Sequence, residues 1–174
     1  MIDGYGRTID YVRISVTDRC NLRCVYCMPE EGVCSISHEE ILRFGEIERV
    51  CQILAENGIQ KIKLTGGEPL VRRRLPELAA ALKRIPGIKS LTITTNGVLL
   101  EEMYDALADA GVDSVTISLD TLDASVYRQL TRRDEIEAVR RGLRTAIQKG
   151  RMQIKINCVP VLGIEEQKLL EVAE

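Results

Sequence analysis

The sequence predicts an α/β protein in which parallel βα units curve into a partial, TIM-like barrel, incomplete at its C-terminal end. Three observations predict it. Short β-branched runs alternate with helix-period segments along the whole chain, and that alternation implies right-handed βαβ crossovers and a parallel sheet. The helical segments run into glycine just before the next β run, at Gly58, Gly87, Gly111 and Gly150, where glycine suits the left-handed residue that ends a helix. Each β run also has one apolar and one polar face. The polar faces read Arg13-Ser15-Thr17, Lys61-Lys63-Thr65, Thr92-Thr94-Asn96, Thr116-Ser118-Asp120 and Gln153-Lys155-Asn157. Parallel sheets are normally covered, and apolar, on both faces. A curved sheet with helices outside and a wet, polar lumen is the simplest solution, whereas an ordinary TIM barrel fills its lumen with branched apolar side chains. An open sheet with its polar face in solvent is the alternative.

The elements follow in order. Residues 11–17 form the first strand, with Val12, Ile14 and Val16 on its apolar side. The first helix is expected over residues 37–57, opened by the capping box Ser37-His38-Glu39-Glu40. A second strand takes residues 61–65, a helix 75–85 and a third strand 90–95. The next helix spans 99–110 and the fourth strand 114–119. Residues 124–149 read as helical with a break near 131–134, followed by a strand over 153–159 and a last helix over 165–173. No linker or low-complexity segment interrupts the pattern, so residues 1–174 read as one domain of five βα units.

Composition narrows the function classes. With 45% hydrophobic and 29% charged residues, a packed core is expected and disorder is not. A net charge of −2 argues against bulk nucleic-acid binding, and 3% aromatics without tryptophan leave no base-stacking platform. No run is apolar enough to span a bilayer, and the first residues do not resemble a secretory leader, so a cytoplasmic protein is expected.

The chemistry gathers at the strand ends. Asp18-Arg19-Cys20-Asn21-Leu22-Arg23-Cys24-Val25-Tyr26-Cys27 follows the first strand, with cysteines spaced C-x3-C-x2-C. A closed zinc or iron–sulfur site wants four protein ligands. Three thiolates hold three corners of a cubane 4Fe–4S cluster and leave the fourth iron open. A zinc site completed by Cys34 or His38 is the plainer reading, although their spacing does not suit a zinc knuckle. A disulfide framework does not suit a chain of this length and composition. Thr65-Gly66-Gly67-Glu68-Pro69 closes the second strand: its glycines let the backbone approach a ligand, and Glu68 offers a carboxylate to an amino group. Thr94-Thr95-Asn96-Gly97 and Ser118-Leu119-Asp120 close the third and fourth; the latter suits a ribose. Arg13, Lys63 and Lys155 would share the lumen, and cations gathered in one space imply a polyanionic ligand such as a nucleoside triphosphate.

These residues resemble a known family. C-x3-C-x2-C with Tyr26 before the last cysteine, plus Gly66-Gly67-Glu68-Pro69, resembles the signature of the radical S-adenosylmethionine (radical SAM) enzymes. Arg13-Ile14-Ser15-Val16-Thr17-Asp18-Arg19-Cys20, Leu64-Thr65-Gly66-Gly67-Glu68-Pro69-Leu70 and Thr94-Thr95-Asn96-Gly97 look like the GTP 3′,8-cyclases (molybdenum cofactor biosynthesis protein A), as do residues 115–120. The resemblance implies a partial barrel of the radical SAM type, and a 4Fe–4S cluster held by Cys20, Cys24 and Cys27 and chelated by S-adenosylmethionine. Tyr26, Gly67 and Ser118, with Glu68, would contact S-adenosylmethionine. Arg13, Lys63, Thr94 and Lys155 would contact GTP, although the family more often has arginine where Lys63 stands.

The implied reaction takes hydrogen from C3′ of GTP and joins C3′ to C8, giving (8S)-3′,8-cyclo-7,8-dihydroguanosine 5′-triphosphate for molybdopterin synthesis. Implied partners are an electron donor such as flavodoxin or ferredoxin, a downstream pterin-forming synthase and a second copy of the chain in a homodimer. The family's sixth βα unit, and its C-terminal region with a second 4Fe–4S cluster, have no counterpart here, so the sequence reads as an N-terminal fragment lacking full activity. Two other readings stand beside this one: a radical SAM enzyme acting on a peptide or tetrapyrrole, and a non-catalytic iron–sulfur electron carrier. Cys51 and Cys158 are expected to be buried small hydrophobes, His38 a solvated helix-start residue, and Arg72-Arg73-Arg74 mostly a solvated run.

Overall fold

The computed structural model describes residues 2–33, 37 and 39–161. Five strands, β1 (Tyr11–Ser15), β2 (Lys61–Thr65), β3 (Ser90–Thr95), β4 (Ser114–Ser118) and β5 (Gln153–Asn157), form one parallel sheet in chain order. That order matters. A doubly wound sheet reverses at a switch point and takes helices on both faces. Here each crossover advances in the same direction, so right-handed connections leave the helices on one face. The burial pattern agrees. Ile62, Leu64, Leu91, Ile93, Val115 and Ile117 are buried, while Lys63, Thr92, Thr94, Thr116 and Ser118 on the opposite face are half-exposed. One dry face and one wet face on a singly wound sheet is the arc of a βα barrel.

The helices are α1 (Phe44–Glu56), α2 (Leu75–Lys83), α3 (Leu100–Asp109), α4 (Ala124–Thr131) and α5 (Ile136–Lys149). The glycines expected at helix ends all carry positive φ. The expected break after residue 131 is real: Arg132 is left-handed, and Asp123 caps α4 by accepting from the N–H groups of Ser125 and Val126. The first helix differs from expectation. Ser37 Oγ does donate to Glu40 (2.9 Å), but only within an isolated turn. The helix starts at Phe44, where the Arg43 N–H donates to Glu46 (2.6 Å). Residues 39, 40, 42 and 43 are exposed, and a capping box without an apolar face to bury does not hold a helix. A 3-10 turn over Pro69–Val71, not anticipated, is capped by Glu68. β5 ends at Asn157, so Cys158 lies beyond the strand. The helix expected over 165–173, with Cys34 and His38, lies outside the described residues. No helix among the described residues is long and apolar enough to cross a membrane.

Candidate functional site

The cysteine loop leaves the end of β1 and is pinned along both legs by main-chain hydrogen bonds. On the first leg the β1–β2 ladder continues past its strands: Gly67 N–H donates to Thr17 O and Glu68 N–H to Arg19 O, both at 2.7 Å. A side chain at Gly66 would collide with the Thr17 carbonyl, and one at Gly67 with those of Asp18 and Arg19. The close approach these glycines permit is therefore to the protein's own loop, and the backbone N–H groups of Gly67 and Glu68 are already used there. On the second leg the N–H groups of Arg23 and Val25 donate to the Thr131 and Leu130 carbonyls at the end of α4 (2.9 Å each). Arg132 then reaches back to the carbonyls of Arg23 and Met28 (3.2 Å each).

Cys20 and Cys24 are half-buried and Cys27 is exposed; the described cysteines are all free thiols. Burial pushes the Cys24 thiol up to about 11, and the charges of Cys20 and Cys27 push the same way. Burial also raises Cys20, against the N–H of Leu22, which donates to its sulfur (3.4 Å). The sulfurs thus disfavour one another's ionisation, a repulsion that a polycationic iron core relieves. No three Cys, His, Asp or Glu side chains among the described residues converge on a single ion as they stand. A tetrahedral zinc would draw its sulfurs to about 3.8 Å of one another, given Zn–S bonds of about 2.3 Å. Thiolates bound to separate irons of a cubane stand wider apart.

Side chains from the strand ends close around this loop. Glu68 is buried; its carboxylate accepts from Thr95 Oγ1 (2.6 Å), Asn96 N–H (2.7 Å) and Leu70 N–H (2.9 Å). It ties the end of β2 to the end of β3, and the structure turns it into the protein rather than toward a ligand's amino group. Asn96 passes the tie onward, donating to Asn21 Oδ1 (2.7 Å) and lying 3.9 Å from Cys20 Sγ. Tyr26 Oη donates to Asp120 (2.5 Å), and the other oxygen of Asp120 accepts the Val159 N–H (2.9 Å). The cysteine loop is thereby strapped to the segment after β5. Removing this acceptor strands a phenol and an amide, so Asp120→Ala is expected to cost about 2 kcal/mol, from hydrogen bonds to a charged group worth roughly 1.5–3 kcal/mol each. Urea denaturation of the apoprotein measures it.

On the polar face, Arg13 and Lys63 are register partners on β1 and β2. Thr94 pairs Thr116, which pairs Lys155 on β5. The proposed GTP contacts therefore share one face in two neighbouring rows, with Arg13 and Lys155 on the two edge strands. Ser118 lines a small cavity of about 30 Å³ with Cys24, Tyr26, Asn96, Asp120 and Tyr127. Sequence reasoning placed Asn96 at the end of the third strand without giving it a role of its own, and missed the structural use of Asp120, because Asn-Gly reads first as a turn and a carboxylate partner 94 residues away leaves no local signal. It also missed Arg72, which is half-buried rather than solvated: its guanidinium donates to the Val16 and Leu42 carbonyls and lies 4.6 Å from the Phe44 ring centroid. Cys51 is buried in α1, as expected; Cys158 is only half-buried.

Comparison with known proteins adds to this geometry. A family model described as the Radical SAM superfamily matches residues 14–174. The chain is 50% identical over 173 residues to a GTP 3′,8-cyclase of Pelotomaculum thermopropionicum, covering 99% of this chain and 53% of the relative. It is 47% identical over 169 residues to one of Petrotoga mobilis, covering 97% of this chain and 52% of the relative. The chain thus spans about half the length of the curated relatives it matches. Among solved structures, a methylornithine synthase superposes with a TM-score of 0.73 at 19% identity, covering 94% of this chain and 48% of that one. SuiB of Streptococcus suis bound to S-adenosylmethionine gives 0.72 at 22% identity, covering 94% and 35%. At such identities the likeness shows the fold: the partial TIM-like barrel.

Proposed function

The chain belongs to the radical SAM superfamily, whose members use a 4Fe–4S cluster with S-adenosylmethionine, and from that premise we propose that it carries the cluster-binding and triphosphate-binding parts of a GTP 3′,8-cyclase acting in molybdenum cofactor biosynthesis. One observation carries this reading: a three-cysteine loop pinned at the strand ends borders a polar sheet face on which Arg13 and Lys63 sit side by side. Adjacent cations imply a polyanion, and a triphosphate meets that requirement better than a peptide or a tetrapyrrole. A plain electron carrier has no use for such a face.

Cys20, Cys24 and Cys27 would hold the cluster, with the N–H of Leu22 steadying the Cys20 thiolate. When bound, the cluster supplies one-electron reduction of the S-adenosylmethionine sulfonium. The chain's own residues bind and orient. Arg13, Lys63 and Lys155 draw the triphosphate to the polar face, and Thr94 offers a hydroxyl between them. Tyr26, Gly67 and Ser118 flank S-adenosylmethionine; Glu68, being internal, shapes that wall from behind. In this reading the chain provides the first five βα units of the barrel and works in a reducing cytoplasm, where free thiols persist. Its product passes to a pterin-forming synthase.

Calorimetry on the anaerobically reconstituted protein tests the reading. Arg13→Ala and Lys155→Ala are each expected to weaken GTP binding about ten- to a hundredfold, the worth of a charge-assisted hydrogen bond, and to leave S-adenosylmethionine binding intact. Lys63→Arg should bind GTP as well or better. Unchanged GTP affinity in both alanine variants would put the triphosphate elsewhere.

A further inference from the structure

We propose that an arginine-lined recess flanking the cysteine loop is the docking surface for an acidic one-electron carrier protein. The inference rests on the cluster assignment above and concerns where the electron enters. The recess, of about 650 Å³, lies between the end of β1 and the first turns of α1 and α2. Its floor is apolar, formed by Val16, Phe44 and Val71, and five arginines line it: Arg19, Arg43, Arg72, Arg73 and Arg74. For a chain of net charge −2, that is a concentrated positive field.

The five arginines do different work. Arg72 is scaffold, held by the Val16 and Leu42 carbonyls and stacked on Phe44. Arg74 is paired with Glu77. Arg19, Arg43 and Arg73 are exposed around the mouth. Counted against Glu46, which accepts the Arg43 N–H, Glu77, which is paired with Arg74, and the neighbouring Asp18, the five arginines still leave the recess net positive. Exposed guanidinium groups over an apolar floor, beside the half-exposed Leu42, have the make-up of a protein contact, where arginine and apolar groups are enriched.

Position then selects the kind of protein. Arg19 also lines a second cavity, of about 300 Å³, together with Asp18, Cys20, Arg23 and Met28. The recess and the first cysteine therefore share a wall. A protein seated there stands beside the cluster rather than over the polar face where the triphosphate would lie, so electron entry and substrate binding do not compete. The carrier's face must be acidic. One electron leaves the carrier's reduced flavin and is gained by the cluster, and no bond forms or breaks.

The test uses flavodoxin as the carrier and the double variant Arg43→Glu/Arg73→Glu, neither residue belonging to the cluster or substrate sites. Flavodoxin is expected to bind the unaltered chain with an affinity that falls as salt rises. Binding by the variant should be weaker by about tenfold or more and nearly insensitive to salt. Reduction of the reconstituted cluster by flavodoxin hydroquinone should slow in step, while reduction by the methyl viologen radical cation is unchanged or faster. Arg43→Gln/Arg73→Gln should fall between, with circular dichroism matching the unaltered chain. Equal flavodoxin binding by the unaltered chain and both variants would overturn the proposal. So would no measurable binding by the unaltered chain, or arginine-dependent binding of inorganic triphosphate alone. Because the docking titration needs no cluster, failure to reconstitute one would count against the proposed function and leave this result to stand or fall separately.

Discussion

Cys20→Ala, Cys24→Ala and Cys27→Ala are each expected to abolish the 4Fe–4S cluster, whereas Cys51→Ala and Cys158→Ala leave it intact. With three protein ligands and an open iron there is no spare thiolate, so losing one ligand leaves two. The other described cysteines are poor substitutes for physical reasons. Cys51 is fully buried on the inner side of α1, and burial, then the charge of Glu48, pushes its thiol up to about 11. It stays protonated and acts as a small apolar side chain. Cys158 stands beyond β5, its sulfur 3.5 Å from the Asp120 carbonyl oxygen. Cys34→Ala should likewise spare the cluster. Anaerobic reconstitution followed by iron and sulfide analysis and electron paramagnetic resonance reads the outcome. Loss of the signal in Cys34→Ala or Cys158→Ala would mean a fourth protein ligand and a closed cluster, and the open-iron chemistry would fall.

Much of this was legible because it repeats. The dry and wet faces of five strands are written as a period of two, and glycines mark the helix ends, so the sheet, its polarity and the position of the cysteine loop above it followed from pattern. The misreadings have two causes: too little apolar burial at the first helix start, and long-range contacts of polar groups at Glu68 and Arg72. Ser37-Glu40 has the chemistry of a helix start, yet the residues after it bury too little apolar surface, and the helix waits for Phe44. Glu68 reads as a ligand carboxylate because it follows two glycines at a strand end; in the fold it meets Thr95 and Asn96, 27 and 28 residues away. Arg72 reads as one of a solvated run, and only the fold brings the Val16 and Leu42 carbonyls to it. Local spacing reports where polar groups gather, not which protein groups already satisfy them.

Glu68→Ala is expected to cost about 3 kcal/mol or more of folding stability, since buried donors left unsatisfied cost roughly 1–3 kcal/mol each and three lose their acceptor. These are Thr95 Oγ1, Asn96 N–H and Leu70 N–H, all around a carboxylate that is 1% exposed. Glu68→Gln keeps one oxygen for Leu70 and Thr95 but turns an amide donor toward the Asn96 N–H, so it should cost less. The pH dependence separates electrostatics from packing. Burial raises the native pKa of Glu68 above the ordinary 4.5, outweighing the donors, which lower it. The native state then holds a proton more tightly than the unfolded chain does. The contribution of this group to stability is full below 4.5 and is lost as pH rises through the raised native value. The Gln variant has no proton to lose, so its stability should vary less with pH across that window. The effect also reaches the site: Asn96 loses its backbone anchor, and with it the contacts to Asn21 and Cys20 that steady the cysteine loop. Urea denaturation of the apoprotein at several pH values measures both. A cost near zero for Glu68→Ala, or an unaltered pH slope in Glu68→Gln, would show that the carboxylate is not the tie between β2 and β3 that its hydrogen bonds describe.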